Sequence, residues 1–260
     1  MTQSQRHISI LEYLEKQGEL VVEEACKLYD ASPATIRRDF NDLADQGLAA
    51  KTWGGLIKRS DTERVNGMLP LTYRQGQYTL EKSKIAEKAA SFVQDGDVII
   101  IDGGTTTFHM APFLANKRIR VITNSIIIAY QIDQDKTEKQ GAEVFVTGGI
   151  LYPESGLLVG PQTNANIRQY NANWTFLSAG AVNSEGPTNS NQLVVESEQA
   201  MIEQSDKVVL LADSSKFGKR NMCKVCDWSD IDFLISDVTN STQNFFDQQS
   251  SKISTQFFLI

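Results

Sequence analysis

The chain has 260 residues, 41% hydrophobic, 22% charged and 8% aromatic, with a formal net charge of −7. That composition is globular and excludes a disordered chain or a disulfide mini-protein; at roughly 100–200 residues per domain it holds one or two domains. Three cysteines argue for a reducing compartment, and purely apolar runs of about five residues fall far short of the about 20 needed to span a bilayer. The polar start, MTQSQRH, lacks an apolar signal core. A cytoplasmic protein with no membrane contact is expected. Residues 1–60 carry 8 Lys+Arg against 9 Asp+Glu, so most of the acidity lies beyond them. Arg37, Arg38, Lys51, Lys58 and Arg59 gather in the second half of this stretch, and a local basic face is compatible with an acidic protein.

In chain order, Ile8, Leu11 and Leu14 recur at helical spacing, and Gln17-Gly18 ends that helix. A second short helix begins at Val21-Val22, with Ala25 and Leu28 on one face, and breaks at Asp30-Ala31. Ser32 is suited to cap a third helix and Pro33 to its first position, where the missing N–H costs nothing. Helix 33–45 then buries Ile36, Phe40 and Leu43, and Gly47 ends it. Leu48–Thr52 and Trp53-Gly54-Gly55-Leu56-Ile57 read as two short strands around a Gly-Gly turn, a β-wing. Residues 58–79 show no period and read as a linker.

From Leu80 helices and strands alternate. Leu80–Val93 is amphipathic, with Thr79 as its cap. Short apolar runs follow at Val98–Ile101, Arg120–Ile122, Val144–Val146, Thr175–Leu177, Val208–Ala212 and Phe233–Ile235, and a last strand spans Gln256–Ile260. Such runs suit strands buried on both faces, so residues 80–260 are expected to form a mainly parallel α/β domain. The expected organisation is a winged helix-turn-helix over 1–57, a linker over 58–79 and an α/β domain over 80–260.

Two constellations carry chemistry. In the first, the start of helix 33–45 bears Ser32, Pro33, Ala34, Thr35, Arg37 and Arg38, small or cationic residues at the end that would enter a major groove. Ser32 and Thr35 can reach phosphate or bases. Arg37 and Arg38 lie 100° apart on the helix, so one can face bases and the other phosphate. Asp39, Asp42 and Asp45 would be held away from DNA. Periodicity alone leaves this reading level with a plain surface helix. In the second, the buried strand Val98–Ile101 runs into Asp102-Gly103-Gly104-Thr105-Thr106-Thr107 and a helix around Phe108–Leu114. Glycines admit close approach of the backbone to an anion, and threonine hydroxyls add donors, so this is a candidate phosphate or carboxylate cradle; a plain strand-to-helix turn is the alternative. Thr123-Asn124-Ser125, Thr147-Gly148-Gly149 and Asp213-Ser214-Ser215-Lys216 follow other strands and would have to converge with it. Lys216 can supply a cation to phosphate, and Asp102 and Asp213 can accept from sugar hydroxyls, unless both aspartates merely cap turns and Lys216 is solvated. Cys223-x-x-Cys226 lacks further ligands for a structural zinc, and no metal or cofactor is expected.

The run SPATIRRDFNDLADQGLAAKTWGG resembles the signature of the DeoR family of bacterial transcription repressors, matching at Ser32, Thr35, Ile36, Arg37, Arg38, Asp39, Leu43, Gly47, Gly54 and Gly55. It departs with Phe40 for Leu, Lys51 for Arg and Trp53 for His. EKSKIAEKAASFVQDGDVIIIDGGTTT, TNS, TGG, LLVGP and ADSSKFG are similar to the family's effector domain, so the resemblance covers nearly the whole chain. It implies a winged helix-turn-helix joined to a domain like ribose-5-phosphate isomerase that binds a phosphorylated sugar or polyol. It further implies double-stranded operator DNA as partner, contacted by Ser32, Pro33, Thr35, Arg37, Arg38, Lys51 and Trp53, and a homodimer or homotetramer. The implied effector contacts are Asp102, Gly103, Gly104, Thr105, Thr106, Thr107, Asn124 and Lys216, to which the reading of strand ends adds Asp213. Gly180 stands where the family often has Asp, and Glu198 and Gln199 stand where Lys-Arg is common. The expectation is a non-enzymic repressor of a carbohydrate operon. The alternatives are a sugar-phosphate isomerase with an added DNA-binding head, for which Asp102 and Asp213 are the available bases, and a DNA-binding protein whose α/β domain only oligomerises.

Overall fold

The computed structural model describes residues 2–46, 48–52, 54–58, 71–137, 139–153, 155–250 and 252–260. Two compact units emerge, Met1–Gln77 and Tyr78–Ile260.

The first unit begins with α1 (Gln3–Gln17), whose first turn is closed by a reciprocal Thr2–Gln5 cap and whose end is turned by Gly18 at φ 83°. β1 (Glu19–Val21), α2 (Val22–Tyr29) and α3 (Pro33–Asp45) follow. Asp30 makes the tight turn between the helices in the left-handed conformation, and Ser32 accepts the Thr35 N–H as the cap of α3. β2 (Ala49–Thr52) and β3 (Gly55–Lys58) form the wing, and β1 adds to it antiparallel, giving the order β1-β3-β2. A Cβ on Gly55 would lie 2.7 Å from the Leu20 carbonyl oxygen, so only glycine lets β3 approach β1 this closely. Ile10, Leu14, Leu20, Ile36, Leu43 and Leu56 are among the residues of one buried core.

Three expectations for this unit are corrected. Leu28 is exposed, because α2 is only two turns long and turns just Ala25 fully inward. The three residues before α2 pair as a strand. The segment 58–79, expected to be a linker without periodic structure signals, contains α4 (Leu71–Gly76), which belongs to the first unit and sets Gly76 against Ile8, where a Cβ would meet the Ile8 side chain at 2.6 Å. Gly47 and Trp53 lie outside the described residues.

The second unit opens with α5 (Thr79–Ala90). Thr79 is its first residue, not its cap; the cap position is Tyr78 in a left-handed conformation with no side-chain cap bond. Then come β4 (Val98–Ile101), α6 (Thr105–Phe108), α7 (Ala111–Leu114), β5 (Arg120–Thr123), α8 (Ile126–Asp135), β6 (Glu143–Val146), β7 (Ile150–Tyr152), β8 (Leu157–Val159), α9 (Pro161–Ile167) and β9 (Ala172–Ser178). β10 (Ala181–Asn183), β11 (Gly186–Asn189), α10 (Gln192–Glu203), β12 (Ser205–Leu211), β13 (Cys223–Lys224), β14 (Phe233–Ser236), α11 (Asn240–Gln249) and β15 (Gln256–Leu259) complete it.

Seven strands form a parallel sheet in the order β15-β14-β12-β9-β4-β5-β6. Along β4, Ile99 and Ile101 enter one core with α5, α7 and α8, while Ile100 enters the other with Ile167, Met201 and Trp228. Burial on both faces is why these strands read as unbroken apolar runs. Parallel strands also deliver all their carboxyl ends to one edge of the sheet. The helix expected around Phe108–Leu114 is two short helices, α6 and α7, with Pro112 opening the second. No helix among the described residues is long and apolar enough to cross a membrane.

Candidate functional sites

In the first unit α3 divides cleanly. Ile36, Phe40 and Leu43 are buried, while Ser32, Pro33, Arg37 and Arg38 are exposed and Thr35 is half-buried. The capping bond fixes Ser32, whose hydroxyl also lies 2.9 Å from that of Thr35. Lys51 is exposed on β2 of the wing. Asp39 belongs to neither face as expected. It is buried, and its carboxylate takes the Arg6 guanidinium through Nε at 2.5 Å and Nη2 at 3.1 Å, with His7 Nε2 3.1 Å from Oδ1. The acidic residue therefore clamps α3 to α1, and the arginines beside it stay free to face outward. Carboxylate oxygens of Asp39 and Asp42 and a ring nitrogen of His7 lie within 4.8 Å of one another, but the Arg6 cation already answers Asp39.

In the second unit the cradle residues are buried at the sheet's carboxyl edge. Asp102 Oδ2 accepts from the backbone N–H of Ser178 at 3.3 Å and from its hydroxyl at 2.9 Å, which ties the end of β4 to the end of β9. The loop then turns sharply. Gly104 N–H donates to the Asp102 carbonyl at 3.0 Å, and the Thr107 hydroxyl reaches the same carbonyl at 2.6 Å. A Cβ on Gly103 would sit 1.9 Å from Leu157 Cδ2, and one on Gly104 1.9 Å from Ser178 Oγ, so both glycines are required by close approach. Thr105, Thr106 and Thr107 are buried, and α6 spans only four residues, so the cradle is a backbone loop and not the head of a long helix.

Neighbouring strand ends bring Asn124 and Asp213 to the same edge. Asn124 follows β5, one strand from Asp102, and its side chain donates to the Leu158 carbonyl at 3.3 Å. Asp213 follows β12, two strands away on the other side, about 10 Å at the usual strand spacing. Its Oδ1 accepts the Ser215 N–H at 3.1 Å, which is the turn-capping role. Lys216 ends that turn and is half-buried. Thr147-Gly148-Gly149 instead packs on α9: the Thr163 hydroxyl donates to the Gly148 carbonyl at 2.7 Å.

Several buried polar atoms of this unit lack a partner. Asn124 Oδ1, Ser190 Oγ, Glu198 Oε2, Asp213 Oδ2 and Ser236 Oγ are all buried without a hydrogen-bond partner among the described residues. Buried polar atoms are nearly always paired; of these, Asn124, Asp213 and Ser236 stand at the carboxyl ends of β5, β12 and β14, while Ser190 follows β11 and Glu198 lies within α10. Sequence reasoning missed Ser178 as a site residue, since nothing in its neighbourhood marks it. Glu198 is legible only as a departure from the family. It sits fully buried on α10, accepts from Asn189 Nδ2 at 2.9 Å, and burial together with the Asp102 charge pushes its carboxyl well above the ordinary range. Gly180 packs against Asn221: a Cβ there would lie 2.4 Å from Asn221 Nδ2. An aspartate cannot enter that place unless Asn221 moves. Half-buried His109 is held below its usual pKa by burial and by the Lys82 charge, and Cys226 is pushed up to about 12, chiefly by burial, as an unreactive packed thiol.

Residues 6–62 match the DeoR-like helix-turn-helix domain, and residues 77–238 match the DeoR C-terminal sensor domain. The chain belongs to the DeoR family. Over 240 residues it is 32% identical to the glycerol-3-phosphate regulon repressor of Escherichia coli K12, covering 92% of each chain. It is 32% identical to the transcriptional regulator UlaR of Shigella flexneri, covering 91% of each. It is also 32% identical to YulB, an uncharacterized regulator of Bacillus subtilis 168, covering 91% of this chain and 90% of that one. Among solved structures, ribose 5-phosphate isomerase A of Neisseria gonorrhoeae has a TM-score of 0.37 and 19% identity, covering 54% of this chain and 53% of that one. A translation initiation factor eIF-2B of Pyrococcus horikoshii OT3 has a TM-score of 0.43 and 14% identity, covering 89% and 86%. Like its DeoR-family relatives, the chain joins a helix-turn-helix head to a sensor domain, here built on the seven-stranded parallel sheet.

Proposed function

We propose that this protein represses a carbohydrate-utilisation operon and leaves its operator when a phosphorylated sugar or polyol occupies the strand-end site. The observation that carries the reading is the buried glycine-threonine loop Asp102–Thr107 at the sheet's carboxyl edge, with the unsatisfied oxygens of Asn124 and Asp213 at other strand ends of that edge, on the same chain as a helix that turns two arginines outward. The regulon name of the Escherichia coli relative supports a phosphorylated polyol or sugar as the effector class.

In this reading residues 1–57 read DNA and residues 80–260 sense the effector, with 58–79 joining them and α4 of that stretch belonging to the first unit. Arg37 and Arg38 contact base edges and phosphates from the major groove, with Ser32, Pro33 and Thr35 at the helix start. Lys51, with Trp53, touches the backbone from the wing. Gly103, Gly104 and the three threonines hold the phosphate with Lys216 as the cation, while Asp102, Asn124 and Asp213 accept or donate to hydroxyls. The sensor domains pair chains into a dimer or tetramer, as binding to two half-sites requires. The effector binds one arrangement of the protein better and shifts the population away from the DNA-competent one.

Fluorescence anisotropy of the protein on its own upstream DNA, at fixed salt, tests this. Sugar phosphates, polyol phosphates and free sugars are added singly. Specific binding released by one phosphorylated compound is the expected result. Specific binding that none of them alters overturns the sensing role, and absence of specific binding to any upstream segment overturns the repressor role.

A further inference from the structure

The hairpin β7–β8 stands outside the seven-stranded sheet, and one of its edges is open. β8 is the inner strand: Leu157 and Val159 pack on Val194 of α10, and the Leu158 N–H donates to the Asn124 carbonyl at 2.7 Å. β7 is the outer strand. Among the described residues it pairs with β8 alone, with Leu151 at its centre opposite Leu158. The Tyr152 hydroxyl accepts from Asn191 Nδ2 at 3.0 Å and holds one end of β7 to the body of the unit. Ile150 and Leu151, on opposite faces of β7, are nonetheless 64% and 53% exposed. Natural proteins guard exposed strand edges with charges; β7 has none, and residues 144–167 carry only Glu154. The neighbouring surface is of the same kind. The Ile126 N–H donates to the Gly156 carbonyl in the hairpin turn at 3.0 Å, and Ile126 and Tyr130 are exposed one helical turn apart on α8. Residues 121–132 carry no charge at all.

We propose that β7 pairs edge to edge with β7 of a second copy of this chain, antiparallel about a two-fold axis through Leu151, with Ile126 and Tyr130 at its flank. The inference rests on the repressor reading, which needs two reading helices for two half-sites, and it names the surface that joins them. In a two-fold contact the residues at the axis meet their own copies, so any charge there would face its like. A chain of net charge −7 therefore pairs with itself at least cost where its surface is neutral, and this edge is neutral. A strongly charged partner would find no complementary charge on it. The added strand gives the outer edge of β7 its hydrogen-bond partners and covers Ile150 and Leu151. The same hairpin reaches the effector site. The Asn124 side chain donates to the Leu158 carbonyl, and Leu157 packs directly on Gly103 of the cradle loop. The contact between copies thus lies one strand from the cradle, and a shift of β8 on effector binding moves the strand that joins them.

Two charge variants at the axis, Leu151→Glu and Leu151→Lys, test the pairing by sedimentation of the full chain. The Leu151 side chain is half in solvent, so a single chain accommodates either charge. The unmodified protein is expected to sediment as an oligomer and each variant alone at half that mass. An equal mixture of the two variants is expected to regain the full mass, because opposite charges then meet at the axis. Met222→Glu, at an exposed apolar residue outside this surface, is expected to keep the full mass. Operator binding by each variant alone is expected to fall by about 100-fold or more and to recover in the mixture. Where a charge at this place prevents folding, Leu151→Cys decides: oxidation with diamide is expected to link two copies beyond the level of the unmodified protein, and chains that stay single overturn the pairing. Folded charge variants that keep the full mass, or a mixture that stays at half mass, also overturn it. If those variants still bind the operator and release it to an effector, the repressor reading stands without this surface. An unmodified protein that sediments as a monomer both free and on its operator overturns both.

Discussion

Asp39→Asn removes the charge that Arg6 needs while keeping the shape of the side chain. The Asp39 side chain is 1% exposed and that of Arg6 11%, and the guanidinium engages both carboxylate oxygens. Breaking a buried ion pair by deleting one partner costs about 3–5 kcal/mol, because the remaining charge stays buried and unanswered. Arg6 keeps some contact with water, which places the cost near the low end, about 3 kcal/mol. At about 1.4 kcal/mol per tenfold, that is a rise of about 100-fold in the opening equilibrium of the head. Native-state hydrogen exchange reads it directly: the slowest amides of α3 are expected to lose about 100-fold in protection, while those of β4 in the other unit stay unchanged. Replacing both partners with apolar residues, Arg6→Met with Asp39→Leu, is expected to recover most of the loss, since no lone charge is left behind. Protection in Asp39→Asn within about threefold of the unmodified protein would refute the clamp.

The remaining predictions concern DNA, effector and pH. Arg37→Ala is expected to weaken operator binding by about 1–3 kcal/mol in fluorescence anisotropy, and unchanged affinity would remove Arg37 from the reading head. Asp102→Ala is expected to stay on the operator at effector concentrations that release the unmodified protein; normal release would place the sensing site elsewhere. The raised pKa of Glu198 makes the sensor unit depend on pH with a definite sign. Its contribution is fully present below its ordinary value of 4.5 and is lost as pH rises through the higher folded value. Glu198→Gln therefore gains stability relative to the unmodified protein as pH rises above 4.5, measured as urea midpoints, and parallel profiles would contradict the assignment.

Much of the architecture is legible without coordinates. Seven short apolar stretches were readable as strands because parallel strands lie between two layers of helices and have no polar face to confuse the pattern. Helix α3 was readable to both of its bounds because Ser32 and Pro33 encode its start chemically. The wing followed from Gly54-Gly55: Gly54, at φ 95°, turns the chain, and Gly55 opens β3 opposite Thr52. Each of these signals lies within a few residues of the feature it sets, and that is the range over which a chain dictates its own backbone.

Tertiary structure decided the rest. β1 exists because β3, more than thirty residues on, offers it a partner edge. Asp39 reads as one of three surface acids along α3 and is a buried ion because Arg6 arrives from another helix. Ser178 joins the site because β9 happens to neighbour β4 in the sheet. Glu198 is buried on α10, where burial and the charge of Asp102 together raise its carboxyl, and nothing local to its sequence encodes either. Chemistry-bearing residues were nameable one loop at a time from local pattern. Which of them meet, and which carboxylates lie close enough to oppose each other's ionisation, depends on strand order and helix packing, and these are set by contacts between residues far apart along the chain.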